Sequence, residues 1–183
     1  MDLKDHFLIS LPRQTSHQFS KSVVYIADHD DVTGSNGWIV NKQIEDGIAQ
    51  NLRTSMGLTK HLPLYFGGPV NTNSAVILHS ADLHLPDTIK LNDELSMTRN
   101  RRVINLFNTG NFPNYWKIII GMSNWSPTQL TSEFALTGNS AWTSTSYTDE
   151  LMWGTSPKDQ WNVGINSSVI EQIDTLLAST FID

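Results

Sequence analysis

The hydrophobic positions in the first half of the chain fall into short, continuous runs. Five such runs, rich in β-branched and aromatic residues, are separated by polar, glycine-containing or proline-containing segments: HFLIS (6–10), SVVYIAD (22–28), GWIVN (37–41), PLYFGG (63–68) and SAVILHS (74–80). Runs of this length and composition are typical of β-strands. Because consecutive positions are apolar, we expect strands that are covered on both faces.

One segment of the first half has helical spacing instead. Ile44, Ile48, Leu52 and Met56 recur every four residues, and Gly57 follows as a natural helix stop. This pattern predicts one amphipathic helix that buries these four side chains.

The second half alternates between the two periodicities. Strands are predicted at LSMT (95–98) and WKIIIGMS (116–123), and helices at RNRRVINLFNTG (99–110), SPTQLTSEFALTG (126–138), SPKDQW (156–161) and SVIEQIDTLLAS (168–179). Ser126 with Gln129, and Ser168 with Glu171, have the spacing of capping boxes at helix starts. Ile170, Ile173 and Leu177 lie on one face of the last helix. The mixture predicts an α+β (α/β mixed) fold, organised as a single domain over residues 1–183.

Charge and composition narrow the function classes. The chain has a formal net charge of −6, which disfavours direct DNA binding because phosphate attraction supplies most non-specific affinity for DNA. Arg99, Arg101 and Arg102 form the only dense basic cluster, which fits either an anion site or a solvated helix start. The chain has no Cys, so disulfides and thiolate sites are excluded, and no segment reaches the length of a membrane span. We expect a cytoplasmic protein that does not bind membranes.

The acidic stretch IADHDDVTGSNGWIVNK (26–42) is the first place to look for chemistry. Asp28 and Asp30 match two ligand positions of a calcium-binding EF-hand loop, but Val32 and Thr33 break the pattern. The glycines here precede a strand, so they do not form a P-loop. ADHDDVTGSNG therefore reads as a hairpin turn, and the sequence predicts neither a metal site nor a cofactor.

Two other stretches carry candidate residues. GMSNW (121–125) resembles a nucleophile elbow, but Trp125 stands where that motif has glycine, and no His or Asp partner for Ser123 is evident. The Gly67-Gly68-Pro69 turn fits two interpretations: a tight strand-ending turn, or a nest of free backbone amides near His79.

Taken together, these motifs resemble the YqgE/AlgH family of bacterial proteins, whose members are frequently labelled transcriptional regulators. The resemblance rests on HFLISLP (6–12), FSKSVVYIADH (19–29), GSNGWIVNK (34–42), FGGPV (66–70), VILH (76–79), GMSNWSPTQL (121–130), Glu133, NSAW (139–142) and ELMWGTSPKDQW (150–161). These segments cover nearly the whole chain in order. Departures from the family pattern occur at Gln43, where the family has proline, at Asn124 and Thr128, where it has glycine, and at Thr131, where it has glutamate.

The resemblance implies a fold of bent mixed β-sheets that form a partial barrel, with helices packed outside. It implies no established reaction, so we expect a regulator that is not an enzyme and that acts indirectly, through an unknown protein or a small anionic effector. The candidate binding surface that follows from resemblance and residue type comprises His29, Asn41, Lys42, Gly67, Gly68, Pro69, His79, Trp125, Gln129 and Glu133.

Two alternatives stay open. In the first, these residues bind no ligand and only stabilise the turns in which they lie. In the second, the protein is an unrecognised hydrolase or small-ligand enzyme that uses His79 or His29 as its base.

Overall fold

The computed structural model describes residues 2–135 and 140–180, and the nine strands in these ranges belong to one strongly curved sheet. The strands are β1 (His6–Ser10), β2 (Val23–Asp30), β3 (Gly34–Ile39), β4 (Leu64–Phe66), β5 (Val70–Ser80), β6 (Ile89–Lys90), β7 (Leu95–Thr98), β8 (Trp116–Trp125) and β9 (Trp142–Ser146). Their order is β6-β7-β5-β8-β3-β2-β1-β9, and β4 pairs in parallel with β8. The other pairings are antiparallel, and the sheet curls into a half-barrel. The predicted α+β partial barrel is confirmed.

Four α-helices accompany the sheet in the described residues. They are α1 (Asp46–Met56), α2 (Arg102–Asn108), α3 (Gln129–Ala135) and α4 (Gln160–Thr180), and a π-helical turn spans Glu150–Gly154. None of these helices is long and apolar enough to cross a membrane. The predicted helix stop at Gly138 lies outside the described residues.

The core lies along the sheet, because the predicted apolar runs supply most of it. Phe7, Leu8 and Ile9 of β1 and Ile118 and Ile119 of β8 are fully buried. Consecutive buried positions on these strands show that both faces are covered, as their continuous hydrophobic runs predict.

The β2–β3 hairpin is longer than predicted. The stretch 27–37 was expected to be a turn, but β2 continues to Asp30 and β3 starts at Gly34. Gly37 pairs with Ile26 inside the ladder, and a Cβ there would lie 2.1 Å from the carbonyl oxygen of Tyr25. Gly37 therefore marks a close backbone approach within the sheet rather than a turn.

The predicted buried face of α1 is only partly correct. Gly57 ends the helix in the left-handed conformation, as expected, with φ of 78°. However, Ile48 is exposed, whereas Arg53 is buried and donates hydrogen bonds to the Leu62 carbonyl and the Asp46 carboxylate. Those partners allow the arginine to take an inward position.

The last helix differs most from its prediction. Ser168 was expected to cap a new helix with Glu171, but α4 runs unbroken from Gln160 to Thr180 and Ser168 lies inside it. Ser168 instead contacts the Thr143 hydroxyl at 2.6 Å, and the Glu171 carboxylate accepts from Thr145. These side chains attach the helix to β9, a strand that the hydrophobic pattern does not reveal because its sequence is WTSTS.

Candidate functional site

The most unusual backbone geometry occurs where the start of β5 crosses β8. Gly68 and Gly121 have φ of 142° and 76°, and a Cβ on Gly121 would lie 2.3 Å from the Gly68 carbonyl oxygen. Only glycine permits both the conformation and this approach. The ladder between β5 and β8 is interrupted here, because its register shifts between Val70 and Ala75.

This interruption opens a cleft on the sheet. Trp38, Asn71, Arg99 and Met122 together line two adjoining depressions of about 140 and 600 Å³. We call this region the Arg99 cleft. Its remaining lining includes Asn36, Ala27, Ile89, Leu91 and Met97, together with the charged residues Lys4, Asp28 and Lys90. A mixed apolar and polar lining of this size is typical of small-molecule sites.

Arg99 extends the cleft toward α2. It also lines a third depression of about 350 Å³, together with Asn73, Ser74, Asn100 and Arg101. Arg99 is therefore common to all three depressions. The exposed side chain of Arg102, although adjacent in sequence, lines none of them.

Cations outnumber anions in this region of an acidic protein. Lys4 pairs with Asp28 at 3.5 Å, and Lys90 pairs with Asp93 at 2.7 Å. Within residues 2–135 and 140–180, the guanidinium groups of Arg99 and Arg101 form neither an ion pair nor a hydrogen bond. The Arg99 cleft thus holds two positive charges that the fold itself does not use.

Asn41 and Lys42 hold the preceding loop in place. The Asn41 side chain accepts from the Val23 amide at 2.8 Å and donates to the Lys21 carbonyl at 3.0 Å. The Lys42 ammonium donates to the Gln18 carbonyl at 2.6 Å, and partial burial lowers its pKa. The polar atoms of both side chains are therefore already engaged in hydrogen bonds within the protein.

The Gly67-Gly68-Pro69 turn is also largely occupied. The Gly67 amide donates to the Ile120 carbonyl, and its own carbonyl accepts from the Ile39 amide and from the Ser123 hydroxyl at 2.9 Å. The open nest of amides is thus not formed at Gly67. The turn instead positions the adjoining Asn71 and Met122 at the Arg99 cleft.

Trp125, Gln129 and Glu133 come together at α3, with a fourth residue that sequence reasoning missed. Glu133 Oε2 accepts from the indole nitrogens of Trp125 at 3.2 Å and Trp142 at 2.6 Å, while Oε1 accepts from the Gln129 amide at 3.0 Å. We call these four residues the Glu133 clamp. Both carboxylate oxygens are engaged, and Phe19 packs against the two indole rings.

His79 is buried within β5, between its ladder partners on β7 and β8. Its Nδ1 lies 2.8 Å from the Ser80 carbonyl oxygen, whereas Nε2 has no hydrogen-bond partner among the described residues. Burial lowers the pKa of its imidazole, so the ring is neutral at pH 7. Because the ring is fully buried, no substrate can reach it in this conformation.

His29 lies in the β2–β3 hairpin, where its Nδ1 contacts the Ser35 hydroxyl at 2.7 Å and its Nε2 lies 3.9 Å from Asp31. This resembles a Ser-His-Asp arrangement in residue types. Ser35 is only 5% exposed, however, so the hydroxyl is not presented as a nucleophile.

Hydrogen bonds and packing thus divide the candidate residues into separate local groups: the Asn41–Lys42 loop, the Gly-Gly-Pro turn, the Glu133 clamp, His79 and His29. No three His, Asp or Glu side chains in the described ranges converge as metal ligands. The sequence signal for the Arg99 cleft was the arginine cluster at 99–102, together with the end of the apolar run near residue 70.

The sequence matches the model of the AlgH-like family over residues 7–171. The chain belongs to the AlgH-like family. Its AlgH-like relatives include the UPF0301 protein PM1869 of Pasteurella multocida, which is 31% identical and aligned over 88% of both chains. Another is the UPF0301 protein Pfl01_5311 of Pseudomonas fluorescens, 29% identical over 92% of both chains.

Two solved structures show the same fold. The AlgH protein of Pseudomonas aeruginosa superposes with a TM-score of 0.70 at 24% identity, covering 89% of this chain and 87% of that one. Protein DIP2367 of Corynebacterium diphtheriae gives a TM-score of 0.64 at 20% identity, covering 86% and 82%.

One departure from the AlgH-like pattern has a clear structural consequence. Thr128, at a position where the resemblance leads us to expect glycine, has φ of 66°. A β-branched residue is strained in this left-handed region, whereas glycine is not. Thr128 therefore holds this backbone conformation at the cost of local strain.

Proposed function

We propose that this AlgH-like protein is a non-enzymatic regulator that binds a small organic anion in the Arg99 cleft and acts on gene expression indirectly. The observation that carries the proposal is Arg99, which lines all three depressions and has no carboxylate partner in the described chain. An arginine fork matches the two oxygens of a carboxylate or phosphate.

Besides the charge of Arg99, the cleft lining offers a ligand both apolar side chains and side-chain amides. Trp38, Met97 and Met122 provide an apolar floor, and the amides of Asn36 and Asn71 lie at the same cleft. An occupant with an apolar body and one anionic group would satisfy both parts. Acyl or hydrolytic chemistry is not part of the proposal, because the cleft lining contains no His, Ser–His pair or nucleophile–base pair.

Phenyl phosphate is a suitable first probe, because it joins an aromatic ring to a phosphate. We expect it to shift the NMR amide signals of Asn71, Arg99 and Met122 during titration, at lower concentrations than inorganic phosphate requires. Arg99→Gln should weaken binding at least about tenfold, which corresponds to about 1.4 kcal/mol. Arg102→Gln is the matched control, since it removes an adjacent exposed arginine outside the cleft.

Equal losses in both variants, or no shifts in the wild type at about 10 mM phenyl phosphate, would refute binding at the cleft. Indirect action is tested separately with labelled duplex DNA, by anisotropy at about 50 and 200 mM salt. Tight, salt-sensitive DNA binding would contradict the indirect part of the proposal.

A further inference from the structure

The three depressions that Arg99 lines form one continuous trough. The depression of about 600 Å³ shares Trp38 and Met122 with the one of about 140 Å³, which in turn shares Ser74 with the one of about 350 Å³. We call the largest depression the Trp38 end of the trough, and the depression that Arg101 lines the Arg101 end. Because the smallest depression joins the two ends, one elongated ligand can reach from one to the other.

The Arg101 end is cationic and is lined by no acid in the described chain. Arg99 and Arg101 both line it, and neither guanidinium group forms an ion pair or a hydrogen bond within residues 2–135 and 140–180. Asn73, Ser74 and Asn100 add amide and hydroxyl groups. A guanidinium fork matches two oxygens of one phosphate group. Two free forks in one depression therefore fit two phosphate groups that are close together, as in a diphosphate.

The Trp38 end is suited to a flat ring with polar edges. Ile89, Met97 and Met122 line it with apolar side chains, while Asn36 and Asn71 line it with side-chain amides. In the described chain, the Asn71 amide nitrogen has only the Met122 sulfur, at 3.5 Å, as its hydrogen-bond partner, and sulfur is a weak acceptor. A heterocyclic base combines apolar faces with hydrogen-bonding edges, so it fits this lining. An isoprenoid chain would cover the two amides without giving them a partner.

The order of the depressions matches the order of the parts in a nucleoside diphosphate. The smallest depression, of about 140 Å³, lies between the Trp38 end and the Arg101 end, where the pentose belongs. Arg99 lines the whole trough and is therefore placed to bind the phosphate next to the pentose. Arg101 lines only the far end, where the second phosphate follows.

We propose that the ligand of the Arg99 cleft is a nucleoside diphosphate, with its base at the Trp38 end, its α-phosphate on Arg99 and its β-phosphate on Arg101. This inference rests on the proposed function and names the chemical class of its anion. It also gives Arg101 a separate role, because a contact with the β-phosphate distinguishes a diphosphate from a monophosphate.

Isothermal titration calorimetry of the full chain measures this distinction. ADP, GDP and UDP are the diphosphate probes, and AMP, GMP and UMP are their monophosphate counterparts. The tightest-binding diphosphate should bind at least about tenfold more tightly than its own monophosphate, since it gains a charge-assisted contact with Arg101. Geranyl diphosphate, which has the same two phosphates but no base, should bind less tightly than that nucleotide.

Three arginine variants test the assignment of the two phosphates. Arg101→Gln should lower the affinity for the diphosphate at least about tenfold and leave the affinity for the monophosphate unchanged. Arg99→Gln should lower both affinities. Arg102→Gln is the matched control and should change neither, because Arg102 lines no part of the trough. All three side chains are exposed, so the fold tolerates the changes.

The outcomes separate the nucleotide assignment from the proposed function. If phenyl phosphate binds in an Arg99-dependent way while no nucleoside diphosphate binds more tightly than its monophosphate, the nucleotide assignment is wrong and the proposed function stands. Equal effects of Arg101→Gln and Arg102→Gln, or tighter binding of geranyl diphosphate than of every nucleotide, would also overturn the assignment. If neither phenyl phosphate nor any nucleotide binds at about 10 mM, both proposals are wrong.

Discussion

The Glu133 clamp and the Arg99 cleft use charge in opposite ways. Both oxygens of Glu133 accept hydrogen bonds from side chains that are themselves packed in place. Arg99 and Arg101 have no such partners in the described residues and face open depressions. A charged residue that is saturated by its own fold has little left for a ligand, whereas a charge that the fold leaves unused is available to one.

The same distinction separates Asn41 and Lys42 from Arg99. These three residues look alike in the sequence, since each is a polar or cationic residue at the end of an apolar run. In the structure, Asn41 and Lys42 each hydrogen-bond to main-chain atoms about 20 residues away. Candidate binding residues are therefore better ranked by their unsatisfied polar atoms than by residue type.

The strongest test of this comparison is Glu133→Ala. The substitution leaves the indole N–H groups of Trp125 and Trp142 without their acceptor, so we expect it to lower the free energy of unfolding by about 2–3 kcal/mol. Arg99→Ala should change it by no more than about 0.5 kcal/mol, because the fold does not use that charge. Urea denaturation measures both.

Glu94→Ala is the control for removing a carboxylate as such, since Glu94 is exposed and its side chain makes no hydrogen bond in the described structure. Similar losses of stability at residues 94 and 133, or at 99 and 133, would show that the comparison between clamp and cleft is wrong.

Much of the fold could be predicted from the sequence, because local patterns determine it. The run HFLIS became β1 without change, and Gly57 ended its helix as expected. The strand β9 escaped prediction because its pairing partner β1, rather than its own sequence, makes WTSTS a strand.

The candidate site was less accessible to sequence reasoning, because it depends on non-local geometry. The inward side of α4 is decided by Gly164 and Ser168, whose small size matters only once β1 and β9 are known to lie beneath them. Likewise, Asn71 and Met122 meet Arg99 only because Gly68 and Gly121 allow β5 and β8 to cross closely. Residue types alone do not contain this information.

Lys117 is intermediate between Glu133 and Arg99, because its charge has hydrogen-bond acceptors but no carboxylate partner in the described chain. Its burial should make the stability of the protein depend on pH. The residue is 6% exposed, and its ammonium donates to the Val40 carbonyl at 2.7 Å and to the Gln160 side-chain oxygen at 3.3 Å and lies over the Tyr65 ring. No carboxylate pairs with it in the described chain, and burial lowers its pKa to about 7.

In the unfolded chain the pKa of this lysine is about 10.4. Between pH 7 and 10, Lys117 is therefore protonated in the unfolded chain but deprotonated in the folded chain. Stability from this group is lowest at and below pH 7 and rises with pH. We expect a gain of about 2 kcal/mol between pH 7 and 9 in the wild type, and a flat profile in Lys117→Met. Lys158→Met is the control at an exposed lysine, and its free energy of unfolding should rise with pH as steeply as in the wild type. If Lys117→Met showed the same rise, the buried lysine would not be its cause.

The smallest expected effect tests whether clamp and cleft are independent. Thr128 precedes the helix that carries Glu133 and is strained at φ of 66°. Thr128→Gly relieves that strain and should stabilise the protein by about 1 kcal/mol, whereas Thr131→Gly, inside α3, should destabilise it by about 1 kcal/mol. Because neither threonine lines the Arg99 cleft, phenyl phosphate should bind both variants with wild-type affinity. A change in affinity that follows the change in stability would show that the two regions are coupled through β8, which carries Met122 and Trp125 on one strand.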